Sequence, residues 1–210
     1  GGGCNHTGCN NVYIGKVAGC RNTTGWRNIG IGESALNQIT IGCDNIAMGY
    51  YTHAQQTVTG HYNVGIGMSA HYALTCGLDN VAIGQCALAL SRTGCQNIAI
   101  GKATMNAVVT GIDNIALGAN AMDALTSGTQ NVGIGINALG AATTGCLNIA
   151  IGQLAMGTGV TIIGGGACGC DNVAVGRSAL SALTQGTNNV AIGTTAMGVG
   201  DVSGASNIAI

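Results

Sequence analysis

The chain has 210 residues and a formal net charge of −1; 47% of it is hydrophobic and only 6% charged, with 38 Gly, no Pro, no Phe and one Trp. Scattered cations at near-neutral charge exclude nucleic acid and an acidic membrane surface as partners, and Gly breaks every apolar run before it reaches bilayer-spanning length, so no membrane insertion is expected. High hydrophobicity with almost no charge also excludes a disordered chain, so small and aliphatic side chains must pack tightly.

Residues 1–10 read as a partial first coil. From Asn11 the chain repeats one phrase, Asn-[Val/Ile]-[Ala/Gly]-[Ile/Leu/Met/Val]-Gly, usually at a step of 17 residues (28 − 11, 97 − 80, 148 − 131). The Asn opens a copy at Asn11, Asn28, Asn45, Asn63, Asn80, Asn97, Asn114, Asn131, Asn148, Asn172, Asn189 and Asn207. A fixed period of this length marks a repeat architecture. Regular copies run over 11–156, an irregular insertion occupies 157–171 where the step is 24 (172 − 148), and further copies fill 172–210. The chain starts Gly1-Gly2-Gly3-Cys4 without Met and stops at Ile210, one residue before the expected Gly, so it reads as part of a longer polypeptide.

Within a copy, positions two and four are aliphatic with period two, the signature of a short strand that turns them to one face. Position three points the other way and is Ala or Gly after the first copy, where Tyr13 stands: Gly30, Ala47, Gly65, Ala82, Ala99, Ala116, Gly133, Ala150, Ala174 and Ala191. Small residues there suggest a face that another chain approaches closely, so this column is expected to pack subunits together. Position five is Gly15, Gly32, Gly49, Gly67, Gly84, Gly101, Gly118, Gly135, Gly152, Gly176 and Gly193, a recurrence expected of a corner with positive φ.

Three residues later comes a small residue and then Leu or Met, as in Ala35-Leu36, Ala87-Leu88, Ala121-Met122 and Ala196-Met197, often followed three on by another apolar residue (Leu74, Val108, Leu125, Leu183). This reads as a second, shorter inward-facing strand, too brief and Gly-bounded for a helix. The copy closes on Thr-x-Gly turns such as Thr23-Thr24-Gly25 and Thr126-Ser127-Gly128. Asp44, Asp79, Asp113 and Asp171 stand just before an Asn, where a carboxylate can cap the turn.

A unit this small buries its apolar side only by lying on its neighbour. The expected fold is therefore all-β, a parallel β-solenoid with one coil per 17-residue repeat, rising about 4.8 Å per coil to a rod on the order of 55 Å long. The stacked Asn side chains are expected to form a structural ladder.

These motifs carry a resemblance. The phrase looks like the repeats of phage tail-fibre proteins, where Asn-x-Ala-Ile-Gly-x-x-Ala-Leu units joined by Thr-Thr-Gly turns build a trimeric shaft, and it is similar to the head repeats of trimeric autotransporter adhesins, whose Val-Ala-Ile-Gly coils form a left-handed β-roll. The resemblance covers nearly the whole chain. It implies a homotrimer in a virion appendage or at a microbial cell surface, with any host receptor bound by regions outside this segment. The expected function is thus a non-enzymatic segment of an extracellular fibre, a phage tail-fibre shaft that supplies stiffness and reach for host attachment; the alternative is the repeat region of a surface adhesin or a self-assembling filament.

Other site chemistry finds less support in the residues. Gly30-Ile31-Gly32 and Gly65-Ile66-Gly67 mimic half of a dinucleotide fingerprint, but no helix follows them. Cys4, His6 and Cys9 offer zinc ligands but lack a fourth, so no metal and no cofactor is expected. Calcium at the Asp row lacks the dense Gly-Asp spacing it needs, and ice binding lacks an unbroken Thr array, since Arg92, Val109 and Asp201 interrupt it. Five of the ten Cys (Cys9, Cys43, Cys95, Cys146, Cys170) sit two residues before an Asn and read as buried thiols, with a Cys146–Cys170 bridge within reach on successive coils. His6, His53, His61 and His71 show no nucleophile or carboxylate at a constant phase, so no catalytic residue is assigned. Asn5 and Asn22 match the glycosylation acceptor pattern.

Overall fold

The computed structural model describes residues 7–55, 57–157, 169–182, 186–198 and 204–210. The chain is an all-β parallel β-solenoid. Its strands are β1 (Val12–Ile14), β2 (Ile29–Ile31), β3 (Ile46–Met48), β4 (Val64–Ile66), β5 (Val81–Ile83), β6 (Ile98–Ile100), β7 (Ile115–Leu117), β8 (Val132–Ile134), β9 (Ile149–Ile151), β10 (Val173–Val175), β11 (Val190–Ile192) and β12 (Ile208–Ala209). They form one sheet in sequence order. Every pairing is in register, so Val81 lies on Ile98, Ala82 on Ala99 and Ile83 on Ile100. Asn80 to Gly84 is tied from both sides: the Val81 N–H donates to the Asn97 carbonyl and the Gly84 N–H to the Ile66 carbonyl, each at 2.8 Å. Register survives the 24-residue step, since β9 and β10 pair Ala150 with Ala174. Most of the insertion itself, including Cys168, lies outside the described residues, as do Cys4, Asn5, His6, Leu183 and Asp201.

The expected second strand is replaced by a run of linked turns. In the second coil, Ala35 N–H donates to Gly32 O, Asn37 N–H to Ser34 O and Ile39 N–H to Leu36 O, three turns in succession. They require positive φ at alternate residues: 59° at Ser34 and 51° at Leu36. The same two positions are left-handed in the other coils, including Cys86 and Leu88, Ala103 and Met105, and Asn120 and Met122. Bulky side chains rarely adopt this conformation. Here each turn is locked by hydrogen bonds to adjoining coils, such as Ser34 N–H to Lys16 O at 2.9 Å and Leu36 N–H to Thr52 O at 3.0 Å.

A third left-handed column precedes the Asn and holds Asp44, Asp79, Asp113 and Asp171 at φ of 56° to 59°. Backbone conformation thus accounts for the Asp row, because Asp and Asn tolerate this region best among residues with a side chain. The corner Gly column sits at φ of 123° to 138°. At Gly84 a Cβ would also collide with the backbone of Gly101 one coil away, so the corner needs Gly twice over.

Strand orientation is the reverse of the sequence expectation. Position three points into the rod: Ala47, Ala82, Ala99, Ala116, Ala150, Ala174 and Ala191 have no exposed surface, and Gly30, Gly65 and Gly133 are buried with them. This column therefore cannot pack subunits. It faces the Ala and Leu or Met of the turn run, and Ala82, Leu88, Ala99, Met105, Ala116 and Met122 belong to one continuous core cluster. Small residues are needed because the interior between sheet and turns is one side chain deep. Positions two and four, not position three, form the outer face.

Size compensation across this thin interior explains the exceptions. Tyr13 puts its ring inside the first coil, and the facing turn position is Gly19, where a Cβ would lie 2.5 Å from the ring; Gly30, next on the sheet, would bring a Cβ to 3.0 Å. His53 stands over Gly65 and Met122 over Gly133 in the same way. Leu74 and Leu125 fill the inward position of their turns as expected, but in the coil just before that of Leu125, Val109 turns inward and Val108 is exposed. Each fully buried Leu or Met contributes about 1.5–3 kcal/mol.

Candidate functional site

The largest feature of the surface is the outer face of the sheet. Positions two and four of each strand stack into two parallel columns, for instance Val81, Ile98, Ile115 and Val132 beside Ile83, Ile100, Leu117 and Ile134. Every residue in both columns is Val, Ile, Leu or Met. They are half-buried to exposed; among those most open to solvent they run from 36% at Ile115 to 58% at Ile14 of the first strand, and to 74% at Ile208 and 93% at Ile210 at the end of the rod. Charges lie at the borders: Lys16 and Glu33 meet at 3.7 Å beside the corner column, and Arg27 grips Asp44 through two hydrogen bonds of 2.6 and 2.7 Å at the opposite border. The Asp44 carboxyl is accordingly held below its ordinary range, first by the hydrogen bond from Arg27.

Eleven rises of about 4.8 Å and a strand width of about 13 Å give the face a footprint of roughly 700 Å², beyond the 300–600 Å² of the largest apolar patch on most monomers. Parallel in-register stacking produces it directly, because one outward Ile in the repeat becomes a column of Ile in the rod.

Beside the face runs the Asn row. Asn97 is representative: its Nδ2 donates to Asn80 Oδ1 at 3.3 Å and to Gly111 O at 2.9 Å, while its Oδ1 accepts from the Asn114 N–H at 3.1 Å and from Asn114 Nδ2 at 3.0 Å. The same bonds to the neighbouring Asn link Asn11 and Asn28 at one end and Asn189 and Asn207 at the other. From Asn28 to Asn189 these side chains are buried. Their hydrogen-bonding capacity is spent on backbone and on each other, which leaves nothing to hold a ligand. Thr hydroxyls tie the closing turns alongside: Thr23 Oγ1 donates to Thr40 O at 2.9 Å, and Thr75 Oγ1 to the carbonyl of Arg92 at 2.8 Å.

Among the described residues, reactive side chains do not gather into a site. The cysteines two residues before Asn are not the buried thiols expected: Cys9 is exposed, and Cys43, Cys95, Cys146 and Cys170 are partly exposed, because this position lies on the outer side of the closing turn. Cys146 and Cys170 are adjacent in a parallel bridge, and Cys146 keeps its thiol. No group of three or more His, Cys, Asp or Glu that could hold a metal occurs among the described residues. Asn22 is buried and engaged, donating to Tyr13 Oη at 3.0 Å and to Gly25 O at 3.1 Å, so it is closed to glycosylation. Burial pushes the Tyr13 hydroxyl up to about 12. His61 accepts the Cys43 N–H at 3.0 Å on the surface, whereas His53 and His71 are enclosed in the core. The sequence pattern assigns that enclosed pair no role, although Gly65 opposite His53 is a usable signal.

No helix among the described residues is long and apolar enough to cross a membrane. The chain matches no protein-family profile, no curated protein and no solved structure.

Proposed function

We propose that the chain is a non-enzymatic structural segment of an extracellular fibre, a phage tail-fibre shaft, built as a left-handed homotrimer whose three outer sheet faces meet at the axis. The observation that carries this reading is the uninterrupted aliphatic face of β1 to β12. Its footprint of roughly 700 Å² per chain compares with the 800 Å² or so per partner of a standard stable interface. A closed cyclic arrangement covers such a face in every copy. The motif resemblance to tail-fibre repeats supports the same reading, and receptor binding belongs to regions outside the segment. The sequence expectation of close packing through Ala is replaced by packing through Val and Ile.

The test is light scattering on purified protein with Ile83→Asp and Ile100→Asp combined. Both side chains are outward, so the coil stays folded by circular dichroism while the trimer mass falls to that of the monomer. A wild-type monomer at micromolar concentration refutes the proposal. A mass that grows without limit as concentration rises favours the second reading, a surface adhesin or self-assembling filament that uses the same face in an open arrangement.

A further inference from the structure

Two histidines lie in the interior where other coils place Leu or Met. His53 and His71 occupy the turn position of Leu36, Leu88 and Met105, and all of these are fully buried. Their rings stack at 4.7 Å between centroids with 12° between planes, and His53 Nε2 meets His71 Nδ1 at 2.7 Å. One ring donates that hydrogen bond to the other. His53 Nδ1 and His71 Nε2 have no partner, so one N–H and one lone pair are buried unsatisfied, whichever ring is the donor. Such groups are costly in a dry interior and are rare in native proteins.

The pair also marks a seam. The apolar interior falls into two clusters: Ala35, Leu36, Ile39, Ala47 and Val58, packed by Tyr13, on one side, and a cluster that begins at Ala70 and runs onward on the other. Between them stand Thr52, His53, Gly65 and His71. Gly65 contributes no side chain, and the Thr52 hydroxyl is used on Gly67 O at 2.8 Å.

Among the described residues no counter-charge faces a protonated ring. Burial alone acts on His53; burial and then His53 act on His71. The other titratable groups on these turns are Tyr50, which is exposed, and Tyr51 and Tyr72, whose rings meet each other at 6.3 Å and stay partly exposed. No Asp, Glu, Lys or Arg is buried among the described residues.

We propose that the His53–His71 pair is an acid-released joint: mild acidification opens the coils carrying β3 to β5 while the coils from β6 onward stay closed. The two rings fill the column only when neutral, because a proton on either one leaves a bare cation in an apolar seam, and a proton on both adds direct repulsion across 2.7 Å. Both groups titrate below the ordinary histidine range when folded, His53 at about 3. An opened coil takes up protons near 6.5 and a closed one does not, so stability is full above that value and declines as pH falls below it. From His53 alone the opening constant rises about tenfold per pH unit, or about 100-fold between pH 7.5 and 4.5, and His71 acts in the same direction.

Hydrogen exchange of the whole chain, corrected for intrinsic exchange rates, tests this. Protection of the His53 and His71 amides, which donate to Ala70 O and Ala87 O, is expected to fall at least 100-fold from pH 7.5 to 4.5, with the Ile115 and Val132 amides unchanged. The double variant His53→Leu and His71→Met, using residues native to this column, is expected to abolish the pH dependence. Constant protection at residues 53 and 71, an equal loss in every coil, or the same loss in the double variant overturns the proposal. If the double variant does not fold, imidazole carbon chemical shifts of the wild type decide it: ring titration in the folded state above pH 6 overturns it, and titration only on opening supports it.

Discussion

Replacing Asn97 by Ala isolates what one rung of the amide row contributes. Asn97 is fully buried, and its loss affects four groups unequally. Asn80 Oδ1 still receives the backbone N–H of residue 97 at 3.0 Å, and Asn114 Nδ2 still reaches Gly128 O at 2.8 Å. The Asn114 N–H and the Gly111 carbonyl lose the Asn97 amide as partner in a region without water access. Each orphaned backbone group costs about 1–3 kcal/mol, so Asn97→Ala should cost about 2–6 kcal/mol, most of the stability of many domains. Asn207→Ala serves as the control: that residue is exposed and its backbone N–H keeps its bond to Asn189 Oδ1 at 3.0 Å, so less than about 1 kcal/mol is expected. Guanidinium unfolding followed by circular dichroism gives the totals. Hydrogen exchange locates the damage, which nearest-neighbour energetics confine to coils adjoining residue 97. A cost under about 1 kcal/mol for Asn97→Ala, or equal costs for the two variants, would show that the row does not hold the coils together.

Gly84→Ala and Gly193→Ala share the left-handed strain, with φ of 128° and 124°, but only at Gly84 would the new Cβ meet the next coil, with Gly101 C 2.7 Å away and nothing within 4 Å at Gly193. Thermal unfolding should place Gly84→Ala about 1–3 kcal/mol below Gly193→Ala, and equal values would reject backbone contact as the reason for the corner Gly. Tyr13→Ala and Gly19→Leu should each destabilise the first coil, one by a cavity and one by collision with the ring, while the double substitution restores the pattern of the other coils. A coupling energy below about 0.5 kcal/mol in the double-mutant cycle would mean that the two positions do not share one space.

The features legible from sequence are those for which the backbone demands one residue type. Asn97 and Gly84 recur because no other side chain makes the same four hydrogen bonds, and none fits the same corner. The sense of the strand is not legible. Alternation tells which residues share a face and says nothing about which face is inside, so the pattern suggests Ala82 as contact surface and Ile83 as core, whereas the rod buries Ala82 and turns Ile83 outward. Leu36, Leu88 and Met105 conceal their left-handed turns, because residues of that bulk are poor indicators of positive φ and suggest a second strand. Tyr13 breaks the pattern in one dimension and fits it in three, where Gly19 and Gly30 make room for its ring.

The unbroken pairing of β9 with β10 across a 24-residue step shows that strand register tolerates added length outside the stretch from Asn to Gly. The seven residues added there (24 − 17) leave the strands on either side in register. Rod length therefore behaves as a counted quantity: duplicating or deleting one module is expected to change it by a single step of about 4.8 Å.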